Sequence, residues 1–366
     1  MNGGRPTPSP ILLVGDASSV HVRRLASGLT AAGLRIEVAG FQGDPIGGVT
    51  LHRLGTLPAN VDARYALAIP SLARLIVARR PRVVHAHYVS SYGLMAAGAT
   101  RMASFLRRHV PLVQTAWGTD LLVTARANPA RRLMAALALR SADVITGDSD
   151  DLIEEARSLA PSTPVAEFVF GPPEELVSGE REARPVIVSS RRLDPDMRVD
   201  LVVRAYELAR RSRPEVMERW RLVVAGSGSD EARVRAAAGG DPTVEFTRHL
   251  SQPELHRRLL ASSVLVSVPR SDATSAALLE GLAAGLVPIV NDLPANRQWV
   301  DETIGVVVSM DPSEDELAEA IVAVTRCQSG DPAPRERVRP VTWERQLRTL
   351  AAMYDRVSEL GNQQSV

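Results

Sequence analysis

Between Arg270 and Gly285 the chain reads RSDATSAALLEGLAAG, and two carboxylates stand out from its small, apolar neighbours. Asp272 and Glu280 are eight positions apart, with the hydroxyls of Thr274 and Ser275 between them. A buried acid without a partner costs several kcal/mol, so Glu280 on an apolar helix must meet something polar. If the helix starts near Thr274, the free amides of its first turn and the positive end of its dipole form an anion site suited to phosphate. Glu280 then lies about two turns further in, roughly 9 Å along the axis. From there it could accept two hydrogen bonds from ribose hydroxyls, while Asp272 meets hydroxyls on the other side of a diphosphate. The simpler alternatives are a surface acid at Glu280 and a helix N-cap at Asp272.

Such a helix needs a frame that aims its first turn at a ligand, and the chain supplies that frame twice. ILLVG (11–15), closed by glycine, precedes the helical pattern HVRRLASGLTAAG and a second strand in RIEVAGF. RPRVVHAHY, VPLVQTAWG and ADVITGDS read as further buried strands, with helical segments near 64–80, 93–107, 130–140 and 149–159. GPPEELVSGEREARP, rich in proline, glycine and charge, is the expected linker. A fresh series opens at PVIVSSRRL and runs through helix 198–211, WRLVVAGSGS, helix 229–238, VEFTRHL, helix 252–261, VLVSVPR, the opening helix and VPIVND. Apolar runs alternating with helices predict parallel sheets wound on both faces. The expectation is therefore α/β, with two Rossmann-like doubly wound domains facing an interdomain cleft. The domains are placed at 1–170 and 185–340, with a linker at 171–184 and a helix and polar tail over 341–366.

Parallel sheets of this kind bind ligands beyond the carboxyl ends of their strands. That rule selects GDASSVH (15–21), HAHYVSSYG (85–93) and WGTD (117–120) in the first domain. In the second it selects SSRRLDPDMR (189–198), GSGS (226–229) and RSDATS (270–275). One of His85 and His87 is expected to face the core, and His87, nearer the carboxyl end of its strand, is the site candidate. HAH lacks a third or fourth ligand at a spacing that suits zinc. GDASSVH lacks the G-x-G-x-x-G of a nicotinamide dinucleotide site, and GSGS, with Gly226 and Gly228, suits a plain turn nearly as well as a phosphate cradle. Neither a metal nor a cofactor is expected.

A length of 366 residues suits two domains of roughly 150 to 200 residues. No run approaches the roughly 18 to 20 apolar residues that span a bilayer. The start, MNGGRPTPSP, has no apolar h-region of a signal peptide, so a cytoplasmic location is expected. The single Cys327 excludes an internal disulfide and a cysteine-based zinc site. Lysine is absent and all 43 basic residues are arginine, so phosphate must be held by arginine, backbone amides or hydroxyls. Residues 1–140 hold 17 arginines against five acids, and the remainder is acidic. The basic half suggests an anionic partner, either the inner face of a membrane contacted peripherally or an acidic acceptor, with solvated arginines as the plain alternative. RYALAIPSLARLIVARR is the candidate membrane helix, and core packing explains its apolar residues equally well. No nucleic-acid partner is expected.

The D-x7-E spacing of SDATSAALLEGLAAGLVPIV resembles the E-x7-E signature of the retaining GT-B glycosyltransferases of family 4, with Asp in the first position. VVHAHYVSSYGL, AWGTD, SSRRLDPDMRVDLVVRAY, LVVAGSG and TWERQLRTLAAMYDRV agree in order and spacing, extending the resemblance over nearly the whole chain. It implies a nucleoside-diphosphate-sugar donor held mainly by the second domain and a hydroxyl acceptor held mainly by the first. That acceptor would be a glycan precursor, a lipid-linked saccharide or a small molecule. A C-terminal helix is expected to return to the N-terminal domain. The family's phosphate-clamping Arg falls on Arg191 or Arg192, and its Lys on Arg198 or on nothing; Arg191 and Arg198 are preferred. Thr274, Ser275, Gly226, Gly228 and Glu280 complete the implied donor site. Asp272, His87 and Asp120 become catalytic candidates, His21 would orient the acceptor, and Trp117 would form a wall. The family's usual mechanism is front-face attack, in which the leaving phosphate receives the acceptor's proton. A phosphorylase or epimerase of the same fold, or a non-catalytic partner that binds the nucleotide sugar, stays open as an alternative.

Overall fold

The computed structural model describes residues 9–55, 63–106, 109–248, 250–326 and 333–363, so Cys327 and the end of the polar tail lie outside the described residues. Seven strands form the first sheet: β1 Ile11–Val14, β2 Ile36–Gly40, β3 Thr50–Arg53, β4 Val83–His87, β5 Leu112–Thr115, β6 Val144–Gly147 and β7 Val165–Glu167. Six form the second: β8 Val186–Ser189, β9 Arg221–Ala225, β10 Val244–Arg248, β11 Val264–Ser267, β12 Val287–Asn291 and β13 Val306–Val308. The helices of the first series are α1 Val20–Ala31, α2 Ala63–Arg79, α3 Leu94–Leu106, α4 Pro129–Leu139 and α5 Asp150–Leu159. Those of the second are α6 Glu174–Ser178, α7 Val199–Ser212, α8 Pro214–Met217, α9 Glu231–Ala237, α10 Gln252–Leu260, α11 Ala276–Ala283, α12 Pro294–Arg297, α13 Glu314–Arg326 and α14 Ala333–Val338. A long helix, α15 Trp343–Gln363, closes the chain.

The sheets run in the orders β3-β2-β1-β4-β5-β6-β7 and β10-β9-β8-β11-β12-β13, with parallel pairing. In each, the opening strand has its successor on one side and a later strand on the other. That reversal opens a crevice beyond the carboxyl ends of β1 and β4, and again beyond β8 and β11. The central strands are uniformly apolar because both faces are covered: every residue of β1 and of β11 is buried. The covering helices bury one stripe each, as α1 does with Val22, Leu25, Ala26 and Leu29.

Two compact units result, one ending at Phe168 and joined by the chain from Leu347 onward, the other spanning Val169–Gln346. The C-terminal helix does return to the first unit. Its buried Tyr354 hydrogen-bonds His85 Nδ1 at 2.6 Å, and Asp355 pairs with Arg82. Residues 171–184, expected as a linker, differ in carrying α6, whose Leu176 and Val177 are buried in the core of the second unit. Two apolar residues within the charged stretch were enough to dock it. The candidate membrane helix α2 spends Ala68, Leu72, Ala73 and Ile76 on its own core, leaving only Leu67 well exposed among its large apolar residues. Among the described residues no helix is long and apolar enough to cross a membrane.

Candidate active site

In the second unit the expected donor residues gather around the head of α11. Ser275 is its N-cap and accepts the Leu278 amide at 3.3 Å. The intrahelical ladder begins at the Leu279 amide on the Ser275 carbonyl, so the amides of Ala276 and Ala277 precede it. Arg191, from the loop after β8, lies across this turn. Its Nη2 donates to Asp272 Oδ2 at 2.6 Å and its Nη1 to Ser275 Oγ. The Arg191 side chain is 11% exposed and Asp272 22%, so the pair is partly desolvated. Arg192, the other register, points to solvent and pairs with Asp194. The structure therefore brings Arg191, and not Arg192, to the helix head.

Arg198 departs from expectation. Its backbone sits in the left-handed region at φ 50°, and its buried guanidinium donates inward: Nε to the Val268 carbonyl at 2.6 Å, Nη2 to the carbonyls of Pro269 and Met310, and Nη1 to Asp311. Burial pulls its pKa below the usual arginine range. A guanidinium so spent ties the end of β11 to the loop after β13 and has little left for a phosphate. Beside Arg191 sits Met197 instead, with its sulfur 2.9 Å from Nη2. The GSGS glycines likewise serve loop contact. A side chain at Gly226, at φ +156°, would strike the Arg191 carbonyl, and one at Gly228 would strike Leu193. Their closeness holds the Arg191 loop in place.

Glu280 is 7% exposed on α11. A polar neighbour within ion-pair reach, though beyond hydrogen-bond distance, is His256 of α10, whose Nε2 lies 4.0 Å from Oε1. Sequence reasoning missed His256 because it sits mid-helix in QPELHRRLL, where a histidine has no distinguishing context. Thr274 receives the Trp299 indole at 3.5 Å.

In the first unit an aromatic group lies beyond the ends of β1, β4 and β5. The His21 ring is 4.3 Å from Trp117, which is 6.0 Å from His87 and 5.8 Å from Tyr88. His85 and His87 both lie inside, since residues two apart on a strand share a face; their rings stack at 4.7 Å. The expectation that only one would be buried fails for that reason. His85 is satisfied by Tyr354 and by Thr115 Oγ1 at 2.6 Å. His87 is fully buried and neither ring nitrogen has a partner among the described residues. Burial, with the nearby His21, pulls the His87 pKa down to about 3, so its imidazole is neutral. His21 is also lowered, by burial and then by Arg24.

Asp120 is buried and bonded to Ser90, whose Oγ donates at 2.5 Å and whose amide lies 3.3 Å from both carboxylate oxygens. Burial pushes its pKa up against those bonds. Its carboxylate braces the turn after β4. That turn, Val89–Gly93, is a π-helix, and Tyr88 just before it adopts φ 66° while its hydroxyl meets Ser19 Oγ at 3.2 Å. A strained residue and a π-turn together often mark a functional site, and neither leaves a trace in residue pattern. Among the described residues no cluster of three or more His, Cys, Asp or Glu could hold a metal ion.

Two Rossmann-like units, each with its ligand loops at the strand-order reversal, are the GT-B architecture of nucleotide-sugar glycosyltransferases. The profile described as glycosyl transferase 4-like matches residues 10–149, and that of glycosyl transferases group 1 matches 174–339. The chain belongs to the family 4 glycosyltransferases. It is 30% identical over 101 residues to the GDP-mannose:cellobiosyl-diphosphopolyprenol alpha-mannosyltransferase of Xanthomonas oryzae pv. oryzae; the match takes in 26% of this chain and only 27% of that protein's length. Sucrose-phosphate synthase from Thermosynechococcus elongatus superposes with a TM-score of 0.73 at 17% identity, over 96% of this chain and 99% of that one. Anabaena HepE in complex with UDP does so with a TM-score of 0.69 at 11% identity, over 97% and 99%. At such identities the likeness is one of fold.

Proposed function

We propose that the protein is a retaining glycosyltransferase that moves a sugar from a nucleoside-diphosphate sugar to a hydroxyl acceptor, with the donor held by the second unit and the acceptor by the first. The observation that carries this reading is the grouping of Arg191, Asp272 and Ser275 at the head of α11, with Glu280 further along the same helix. The diphosphate rests on the amides of Ala276 and Ala277 and displaces Asp272 from Arg191. Glu280 accepts the ribose hydroxyls, and Asp272, released, turns to the sugar. The anomeric carbon's bond to the leaving phosphate breaks as the acceptor oxygen bonds it from the same face, and the acceptor's proton passes to the leaving phosphate oxygen. Arg191 and the helix head stabilise the charge that grows there. Neutral His87 offers one N–H and one lone pair to a sugar hydroxyl, and Trp117 with His21 walls the acceptor. The reading includes peripheral contact of the arginine-rich first unit with an anionic membrane at the inner face, and it needs no cofactor.

One observation favours the non-catalytic alternative: with Arg198 spent internally, a single guanidinium serves the phosphates. The deciding experiment pairs two measurements. A panel of nucleoside diphosphates and their sugars is screened by thermal shift on wild type and Glu280→Ala; a bound ligand at 100 times its dissociation constant adds about 2.7 kcal/mol. Release of nucleoside diphosphate is then followed with and without hydroxyl acceptors. Stabilisation that disappears in Glu280→Ala and release that requires an acceptor are expected. Stabilisation without acceptor-dependent release would leave a binding partner, and release driven by inorganic phosphate would make the enzyme a phosphorylase.

A further inference from the structure

We infer that the outer face of α3 and α4 docks the first unit on an anionic membrane surface, which refines the membrane contact of the proposed function and rests on that reading only for what the docking serves. Residues 63–142 contain 12 arginines and one acid, Asp120, which is buried. Several of those arginines are neutralised within the unit: Arg79 by Glu37, Arg82 by Asp355, and Arg126 and Arg132 by α5 acids. Arg101 and Arg140 are not. Arg140 gives its Nε to the Leu159 carbonyl, and neither meets a carboxylate among the described residues. Both line a groove of about 540 Å³ between the last turns of α3 and α4, together with Phe105, Ser104 and Ser141. The one acid of that groove, Asp143, is occupied by the Leu112 amide and by His109.

Around this cationic groove the apolar side chains point outward. Phe105 is 81% exposed, Leu133 61%, Leu137 52% and Met102 43%. Their spacing, three apart on α3 and four apart on α4, aligns each pair along one face of its helix. Apolar residues interleaved with two arginines that meet no carboxylate, beside a single acid already held by His109 and the Leu112 amide, match the headgroup and acyl boundary of an anionic bilayer. A second copy of the chain is a poorer occupant, because a twofold contact through this face would set arginine against arginine.

Flotation of the full chain with vesicles of phosphatidylcholine alone, and of phosphatidylcholine with phosphatidylglycerol, tests the assignment. Wild type should float with the mixed vesicles, hardly with the neutral ones, and should be released by high salt. Arg101→Ser with Arg140→Ser should weaken binding on the order of 30-fold, given about 1 kcal/mol per arginine near such a surface. Leu133→Ser with Leu137→Ser should weaken it about tenfold or more through lost apolar burial. These positions are exposed, so folding should survive, and Leu67→Ser on α2 should bind as wild type does. Equal flotation with both vesicles, no flotation, undiminished binding by the paired variants, or loss in Leu67→Ser alone would overturn the assignment. So would light scattering that shows a dimer broken by the leucine pair. Nucleoside-diphosphate thermal shifts on the same variants report separately on the transferase reading.

Discussion

Arg191 and Asp272 meet each other in the second unit, whereas His87 in the first meets no polar partner at all among the described residues. One site closes its polar account without a ligand, and the other leaves it open. On the proposed reading the donor side must therefore exchange an internal ion pair for a diphosphate, and its affinity would be a difference between two strong interactions. On the same reading the acceptor side holds a buried imidazole unbonded among rings, and a hydroxyl admitted there would gain a hydrogen bond without displacing a protein partner. Charge would then select at one site, and shape and desolvation at the other.

The largest expected effect tests the charged side. Arg191→Ala should lower kcat/KM for the donor about 10³-fold, since it removes charge-assisted bonds and stabilisation of the leaving phosphate. A change confined to the acceptor constant would move Arg191 out of the donor site and break the contrast. Asp272→Asn sharpens it. This variant should turn over about 30-fold more slowly yet bind nucleoside diphosphate at least as tightly, because Arg191 is freed of its competitor; weaker binding in a calorimeter would show that the pair supports the phosphate site. The smallest effect lies at His87. His87→Gln should cost about tenfold in kcat, the scale of one neutral hydrogen bond.

The same variant has a signature in stability. The folded pKa of His87, about 3, lies below the unfolded value of 6.5, so the unfolded chain takes up the proton first as pH falls. His87 therefore opposes folding increasingly below pH 6.5, by up to about 1.4 kcal/mol per pH unit until its folded pKa is reached. Urea midpoints measured from pH 7 to 5 should fall less steeply in His87→Gln than in wild type. Parallel slopes would mean that His87 is solvated in solution.

The central strands and the donor helix were legible in sequence because their signals are local. β1, β4, β5, β8, β9, β11 and β12 are runs of apolar residues closed by polar loops, and an acid on an apolar helix announces a partner. The edge strands β3 (TLHR) and β7 (VAE) are partly exposed and carry no such run, and the apolar run of β13 is only three residues long. The roles of Arg198 and Asp120 were not legible, because whether a charged side chain faces a ligand or its own backbone depends on carbonyls and amides supplied by distant segments. For Arg198 these are residues 268–269 and 310–311; for Asp120 it is Ser90. Tyr88 and His256 act through backbone strain and helix neighbours, to which strand and helix periodicity are blind.

The last helix begins with Trp343 against Phe170, in the second unit, and about three turns later sets Tyr354 on His85, in the first. A ribosome therefore delivers this piece of the first unit only after the whole of Val169–Gln346 has been made. Until then the His85 side chain of β4 lacks its Tyr354 partner, so the half that is synthesised first is completed after the half that follows it. Termination at Leu347 would leave Val169–Gln346 whole and the amino-terminal half unfinished.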